Sequence, residues 1–140
     1  MTRVEPRPDG TFRPSEDGQW ALTLGVDDRE GRLVDFVAYF LNNPGRWWLR
    51  FRDETPFLGA RDLAFAADCG KSIRLFSTPD TWLRAQLRHG DHEAVCVLNW
   101  GVDLCPLFDG IEAVVCNTPG LARRLREKLR EWEPEVRHAA

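Results

Sequence analysis

Two runs rich in apolar and aromatic residues lie between residues 33 and 53, and they predict an antiparallel hairpin. Pairing residues whose numbers sum to 87 makes one face of this hairpin apolar. That face pairs Phe40 with Trp47, Ala38 with Leu49 and Phe36 with Phe51, and the other face pairs Tyr39 with Trp48, Val37 with Arg50 and Asp35 with Arg52. The intervening Asn42-Asn43-Pro44-Gly45 segment is rich in residues that favour turns. We therefore expect the apolar face, including Phe36 and Phe51, to be buried.

Strand-like and helix-like segments alternate in the second half of the chain. The pattern predicts strands over 72–76, 94–99 and 111–116, and helices over 60–69, 79–88 and 119–132. A short strand over 20–24 and a turn over 27–31 precede the hairpin. Short connections between alternating strands and helices imply parallel neighbouring strands. The predicted fold is α/β, with an antiparallel hairpin joined to a small, mostly parallel sheet that has helices on its faces.

The distribution of prolines and charges indicates where the folded domain begins and ends. Residues 1–18 contain three prolines, two glycines and many charged side chains, which is typical of a loose segment. We interpret 1–18 as a flexible N-terminal arm, 19–133 as a single α/β domain and 134–140 as a frayed tail.

Composition excludes several classes of protein. The chain has 140 residues, with 19 Lys and Arg against 22 Asp and Glu and a formal net charge of −3, so bulk electrostatic binding to nucleic acid or to an anionic membrane is not favoured. No apolar stretch is long enough to span a membrane, and the first ten residues lack the apolar region of a signal peptide. We expect a cytoplasmic protein without a membrane partner.

The polar face of the hairpin is one candidate binding surface. Arg46, Trp48, Arg50 and Arg52 recur with a period of two, and Tyr39 lies opposite Trp48 in the predicted register. Basic groups interleaved with aromatic rings can contact phosphates and stack on bases, and the same residue types dominate protein interfaces. If this face binds a partner, Trp48 is exposed. The alternative is that a helix covers Trp48 and Tyr39 while the arginines pair with acidic neighbours.

A second candidate lies where two strands give way to helices. Ser77-Thr78-Pro79 and Asn117-Thr118-Pro119 each close a predicted strand and open a helix, so both turns belong at the same sheet edge. Thr is a good N-cap residue, and Pro fits the first helical position. The candidate lining residues of a pocket there are Ser77, Thr78, Asp80, Asn99, Asp103, Asn117 and Thr118. The alternative is simple helix capping, and the sequence has no glycine-rich phosphate loop.

The sequence gives little support for catalysis or for a metal site. His89-Gly90-Asp91-His92-Glu93 contains metal-binding residue types, but a solvated turn explains the segment equally well. The four cysteines, Cys69, Cys96, Cys105 and Cys116, form no C-x-x-C pair, and Cys96 and Cys116 fall in apolar strands where a thiol is a poor nucleophile. We predict no catalytic residue, no metal and no cofactor, and we expect Cys96 and Cys116 to be buried and unpaired on adjacent or next-neighbour strands.

Two resemblances accompany these patterns. The segments 78–84, 95–100, 111–116 and 121–125 resemble small uncharacterised proteins of bacterial plasmid and prophage origin, which implies a mobile-element context. The order of strands and helices looks like that of the Toprim domains of primases and topoisomerases. Such domains hold magnesium with a Glu after an early core strand and an Asp-x-Asp after a later one. Here the apolar strand 94–99 is followed by a single acid, Asp103, so the resemblance implies a shared fold.

These observations favour a non-catalytic binding or interaction domain, associated with mobile-element DNA processing. Its expected partner is a protein or single-stranded nucleic acid. The alternative is a small enzyme or ligand-binding domain that uses the Thr-Pro edge of the sheet.

Overall fold

The computed structural model describes residues 1–52, 56–89, 93–129 and 135–138. These residues form two five-stranded sheets and three α-helices. The strands of the first sheet are β1 (Thr2–Pro6), β2 (Phe12–Pro14), β3 (Gln19–Asp27), β4 (Leu33–Tyr39) and β5 (Trp48–Leu49). The elements that follow are β6 (Phe57–Leu58), α1 (Ala60–Asp68), β7 (Ile73–Phe76), α2 (Pro79–His89), β8 (Ala94–Val97), a 3₁₀ turn (Cys105–Phe108), β9 (Ala113–Cys116), α3 (Pro119–Lys128) and β10 (Glu135–His138).

The first sheet is antiparallel and curls until its two edges meet. Its strand order is β2-β1-β3-β4-β5, and the Leu49 N–H donates to the Gly10 carbonyl at 3.1 Å across the seam. An isolated parallel bridge joins Thr11 to Leu49 at the same place. Closure gives this small sheet its own apolar interior, formed by Val4, Phe12, Ala21, Ala38 and Trp48.

The predicted hairpin exists, but its predicted register is wrong by one residue. The structure pairs Val37 with Leu49 and Ala38 with Trp48, so the paired numbers sum to 37 + 49 = 86. Two successive turns connect the strands, with Asn43 N–H donating to the Phe40 carbonyl and Arg46 N–H to the Asn43 carbonyl. Because side chains alternate along a strand, a one-residue slip moves every side chain of β5 to the other face.

The slip reverses the predicted burial of several residues. Trp48 lies inside the curled sheet, whereas Phe51 and Phe36, which were expected to be buried, are exposed. The Asp35 carboxylate, expected to face Arg52, is buried and accepts the backbone N–H groups of Phe36 and Phe51.

The two ends of the chain are more regular than their composition suggests. Residues 1–18 are not a loose arm, because β1 and β2 lie in the first sheet and Val4 and Phe12 are buried. Pro6 and Pro14 fall at strand ends, which proline tolerates. Likewise β10, in the expected frayed tail, pairs in parallel with β9. The division of the chain into one domain over 19–133 stays a prediction.

The second sheet has the predicted architecture. Its order is β10-β9-β7-β8-β6, and every neighbouring pair is parallel except β6 with β8. One face packs against α1, the 3₁₀ turn and α3, with Leu63, Phe108, Leu121 and Leu125 in this main core. Gly70 ends the first of these helices in the left-handed conformation, with a φ of 63°. The chain is therefore an α/β fold in which an antiparallel sheet is joined to a small, mostly parallel sheet.

The other face of the second sheet is covered unevenly. The outer side of the curled sheet packs on it through Val37 and Leu49, which meet Leu58 and Cys96, and α2 covers β7 and β8 with Trp82 in the same cluster. The part of this face that contains Arg74, Phe76 and the end of β9 lies beside α2 and lines a groove.

Candidate functional site

The two Thr-Pro turns meet at one edge of the second sheet, as predicted. Strands β7 and β9 are parallel neighbours, so Ser77-Thr78-Pro79 and Asn117-Thr118-Pro119 follow their carboxyl ends side by side. The Ser77 N–H donates to Asn117 Oδ1 at 3.2 Å and joins the two turns directly. We call this region the Thr-Pro edge.

Both threonines cap the helices that begin there. Thr118 Oγ1 accepts the Leu121 N–H at 3.1 Å, and Thr78 Oγ1 accepts the Thr81 N–H at 3.1 Å. Each bond satisfies one of the backbone donors that the first turn of a helix leaves unpaired. Capping accounts for the two Thr-Pro motifs.

Replacing Thr118 with alanine tests the cap. Thr118→Ala removes the acceptor of the Leu121 N–H, and we expect the free energy of unfolding to fall by about 1 kcal/mol in urea denaturation. Thr118→Ser keeps the hydroxyl and serves as the matched control. Equal losses in the two variants would mean that the threonine methyl group matters and the cap does not.

Asn99 and Asp103, two predicted lining residues, are occupied in local turns. Asn99 Oδ1 accepts the Gly101 N–H at 2.9 Å, and Asp103 Oδ1 accepts the Cys105 N–H at 3.2 Å. Neither lines the groove beside α2. Asp80 lies next to that groove, where it forms a 3.1 Å ion pair with Arg84 and accepts a 3.5 Å hydrogen bond from the Tyr39 hydroxyl.

A groove of about 270 Å³ runs between α2 and the uncovered part of the second sheet. Its floor is formed by Arg74 and Phe76, which lie two residues apart on one face of β7, and by Asn117 at the Thr-Pro edge. Helix α2 supplies the wall. The wall residues are Thr81, Arg84, Ala85 and Arg88. We call this feature the basic groove.

The electrostatics of the basic groove are locally opposite to the net charge of the chain. Three arginines line it, whereas the chain as a whole has a formal charge of −3. The Arg74 guanidinium lies 5.8 Å from the centre of the Phe76 ring, close enough for a cation–π contact. With the Asn117 Oδ1 bonded to Ser77, the amide N–H groups of Asn117 are the donors it can offer to a ligand. The groove therefore combines positive charge, an aromatic ring and an amide donor.

Sequence reasoning missed the basic groove, although the signal is present. Thr81, Arg84, Ala85 and Arg88 are spaced i, i+3, i+4 and i+7, which places them on one stripe of a helix. That spacing usually identifies the buried face of a helix when the residues are apolar, and here the residues are mostly polar. Its partner in the groove is the side of β7 that contains Arg74 and Phe76.

The hairpin residues proposed as a stacking surface do not form one. Trp48 is only 8% exposed and Tyr39 is fully buried on the opposite side of the sheet, so the expectation of an exposed Trp48 is wrong. Trp48 is buried because the first sheet closes around it, whereas the hydroxyl of Tyr39, on the outer side of the sheet, reaches Asp80 of α2. Burial, together with the nearby Asp80 carboxylate, raises the pKa of the Tyr39 hydroxyl above its usual value.

The hairpin arginines have separate local partners. Arg46 lies over Trp48 at 5.2 Å from the ring centre, and Arg50 lies over Phe51 at 4.8 Å. Arg52 donates to the Asp9 carbonyl. Binding by these residues stays a prediction, but the exposed Trp48 on which it was based is buried.

The cysteines are arranged as predicted. Cys96 on β8 and Cys116 on β9 are buried, unpaired, and separated by β7. Burial raises the pKa of the Cys116 thiol to about 11 and also raises the pKa of the Cys96 thiol. Neither is therefore a reactive thiolate near neutral pH.

The residues at the Thr-Pro edge do not fit a magnesium site. Where the Toprim resemblance implies acidic residues after core strands, β8 is followed by the single acid Asp103, which accepts the Cys105 N–H, and the Thr-Pro edge itself has Ser77-Thr78 and Asn117-Thr118. The threonine hydroxyls act as caps, and Asp80 is engaged with Arg84. Within the described part of the chain, no three His, Cys, Asp or Glu residues cluster as metal ligands would. Most of the predicted 89–93 turn lies outside the described residues.

No helix within residues 1–52, 56–89, 93–129 and 135–138 is long and apolar enough to cross a membrane.

Comparison with solved structures identifies a shared fold. The primase fragment of the bacteriophage T7 primase-helicase superposes with a TM-score of 0.63 at 14% sequence identity, over 94% of this chain and 57% of that one. A DNA primase domain from Pseudomonas aeruginosa gives 0.62 at 16% identity, over 98% of this chain and 48% of that one. The RNA polymerase domain of the Mycobacterium tuberculosis primase gives 0.56 at 14% identity, over 99% and 52%.

The chain thus spans about half the length of these primase structures. No family model matches the sequence, and no curated protein matches it. At these identities the similarity establishes the fold alone. Both sheets are included in it, because the superpositions extend over nearly the whole chain.

Proposed function

We propose that this chain is a non-catalytic domain that binds single-stranded nucleic acid through the basic groove. The observation that carries the proposal is the groove itself, which is lined by Arg74, Arg84 and Arg88 together with Phe76 and Asn117. Guanidinium groups bind phosphates with charge-assisted hydrogen bonds, and an aromatic ring supplies a stacking partner for a base.

The fold supports a role next to nucleic acid. The similar solved structures are a primase fragment of a phage primase-helicase and a DNA primase domain. From this similarity of fold we propose that this chain also interacts with a nucleic acid strand. Association with mobile-element DNA processing is part of the proposal too, and it rests on the sequence resemblance of segments 78–84, 95–100, 111–116 and 121–125 alone.

The Thr-Pro edge supports the non-catalytic part of the proposal. The groups that follow β7 and β9 are hydroxyls and an amide, and their described contacts are helix caps and the Ser77–Asn117 bond. Cys96 and Cys116 are buried thiols with raised pKa values. The arrangement provides donors and positive charge for holding an anion.

A binding measurement with a charge-matched control tests this function. We would measure fluorescence anisotropy of a labelled single-stranded 12-mer with the wild-type chain, with Arg84→Gln/Arg88→Gln, and with Arg46→Gln/Arg50→Gln. Each double variant lowers the formal charge equally, from −3 to −3 − 2 = −5. Glutamine keeps helix propensity and part of the aliphatic stem.

We expect the groove variant to lose about 10- to 100-fold in affinity, because two charge-assisted contacts of roughly 1.5–3 kcal/mol each are weakened by their exposure. The slope of log K against log salt should also become shallower by about 1.4, since each phosphate contact contributes roughly 0.7 for a single strand. The Arg46/Arg50 variant should bind almost as the wild type does. Equal losses in both variants, or wild-type binding that does not depend on salt, would refute the groove as the site.

A further inference from the structure

We infer that the basic groove selects keto bases (guanine, thymine and uracil) over amino bases (adenine and cytosine), and that the side-chain amide of Asn117 makes this selection. The inference rests on the proposed function, because it names the class of base that the same site holds. It depends on the position of Asn117 beside Phe76, on the direction in which the amide is held, and on the hydrogen-bonding character of the other side chains in the groove.

Phe76 and Asn117 lie side by side on neighbouring strands. The parallel register of β7 and β9 pairs Leu75 with Cys116. The next residues along are Phe76 and Asn117, and the Asn117 N–H donates to the Leu75 carbonyl at 3.1 Å. Neighbouring strands are about 4.7–4.9 Å apart, and both side chains line the groove. A base that packs on the Phe76 ring is therefore within reach of the Asn117 amide.

The Asn117 amide is held so that its nitrogen is available to a ligand. The Ser77 N–H lies 3.2 Å from the amide oxygen. A backbone N–H can only donate, so the oxygen of the amide has to face Ser77. The two N–H bonds of Nδ2 then remain for a ligand in the groove. Asn117 therefore acts there as a hydrogen-bond donor.

The other polar side chains that line the groove are donors or have their hydrogen bonds made already. The guanidinium groups can only donate. Thr81 Oγ1 donates to the Thr78 carbonyl at 3.0 Å, so it accepts from the Thr78 hydroxyl at 2.9 Å and from the Thr78 N–H at 3.3 Å. Beside the groove, Asp80 accepts from Arg84 with one oxygen and from the Tyr39 hydroxyl with the other. The side chains of the groove therefore present donors to a base.

Keto and amino bases differ in what they offer to such donors. Guanine has two adjacent acceptors, O6 and N7, and thymine has the acceptor O4, whereas adenine and cytosine have an N–H₂ donor at the equivalent position. An amino group opposite Nδ2 of Asn117 would place donor against donor and leave both without an acceptor. A keto group at the same place accepts from Asn117.

Binding of two strands that differ in one functional group tests this inference. Both are labelled 12-mers with a base at every third position and abasic sites between, so that the bases do not stack on one another. One strand contains hypoxanthine and the other adenine, which are purines of the same size with a keto or an amino group at position 6. By fluorescence anisotropy, we expect the wild-type chain to bind the hypoxanthine strand about 3- to 10-fold more tightly, the effect of one net hydrogen bond.

Substitutions of Asn117 assign the preference to its amide. Asn117→Asp keeps an oxygen for the Ser77 N–H and replaces the donor with an acceptor, so the ratio of the two affinities should fall to about one or below. The added negative charge weakens both strands alike and leaves the ratio unaffected. Asn99→Asp makes the same change of charge outside the groove, where the side chain accepts the Gly101 N–H, and should keep the wild-type ratio. Asn117→Ser removes the amide without adding a charge and should bring the ratio close to one.

The outcomes distinguish this inference from the proposed function. Equal affinity of the wild type for the two strands, or tighter binding of the adenine strand, overturns the inference and leaves strand binding in place. So does binding of an ordinary 12-mer without binding of either test strand. A wild-type ratio that persists in Asn117→Asp and Asn117→Ser overturns the role of Asn117. If the chain binds neither the test strands nor an ordinary 12-mer, the proposed function fails as well.

Discussion

Trp48→Ala should lower the free energy of unfolding by about 3–5 kcal/mol, the usual cost of removing a large aromatic ring from a core. Trp48 is 8% exposed and packs among Val4, Ala21 and Ala38 inside the curled first sheet. Its ring also meets Phe40 edge to face, with 5.4 Å between ring centres. Urea denaturation followed by circular dichroism measures the loss.

The control is Phe51→Ala, a second aromatic truncation three residues further along the chain. Phe51 is 61% exposed, so we expect its free energy of unfolding to change by no more than about 0.5 kcal/mol. The register with paired numbers summing to 87 predicts the reverse, with a large loss at Phe51 and a small loss at Trp48. A result in that direction would contradict the observed register and the closure of the sheet.

Gly59→Ala should be the second severe substitution, with an expected loss of about 2–5 kcal/mol from left-handed strain plus overpacking. Gly59 precedes α1 with a φ of 84°, and a Cβ placed there would lie 2.4 Å from the Ala94 carbonyl oxygen of β8. That oxygen also accepts the Trp82 indole N–H at 3.1 Å. The clash is therefore with a backbone group that cannot move without disturbing α2.

Gly70→Ala separates the two causes. Gly70 also has a positive φ, of 63°, but a Cβ there has no neighbour within 4 Å. We expect a loss of about 1–2 kcal/mol from strain alone. If the two alanine variants are equally stable in the same denaturation experiment, the close approach of Gly59 to β8 does not contribute.

The second half of the chain was predictable because each local signal agrees with its neighbours. Gly70, Thr78 and Thr118 mark helix ends, and the apolar runs at β8 and β9 are long enough to indicate strands covered on both faces. Helix caps, the spacing of apolar residues and the lengths of the connections agree here, so a parallel sheet can be predicted without information on distant contacts.

The first half was not predictable in the same way, because its packing depends on closure between distant residues. Trp47 and Trp48 are adjacent and both apolar, so the pattern of apolar residues in this strand is compatible with two registers of the hairpin. The contact of Leu49 with Gly10 selects one of them, and a local pattern cannot show a pairing across 39 residues. The strands at residues 2–6 and 12–14 pair with each other across a short turn, and they were missed because the prolines, glycines and charged residues of this segment are typical of a loose chain.

The candidate site was predictable in position but not in composition. The Thr-Pro edge indicated where parallel strands end, and the structure places Asn117 and Thr81 there at one end of the groove. The arginines were not identified, because a charged stripe on a helix usually faces solvent. The stripe becomes recognisable as part of a groove only when the structure shows the uncovered side of β7 opposite it.

If nucleic acid lies in the basic groove, amide chemical-shift mapping on the ¹⁵N-labelled chain will locate it there. During titration with a short single strand, we expect the largest shifts at residues 74–76, 81–88 and 117, with little change at 46–52. The Arg84→Gln/Arg88→Gln variant should lose these shifts, and the dispersion of its other amide signals should show that the protein is still folded. Shifts concentrated at residues 46–52, or shifts that are unchanged in that variant, would mean that the strand binds outside the basic groove.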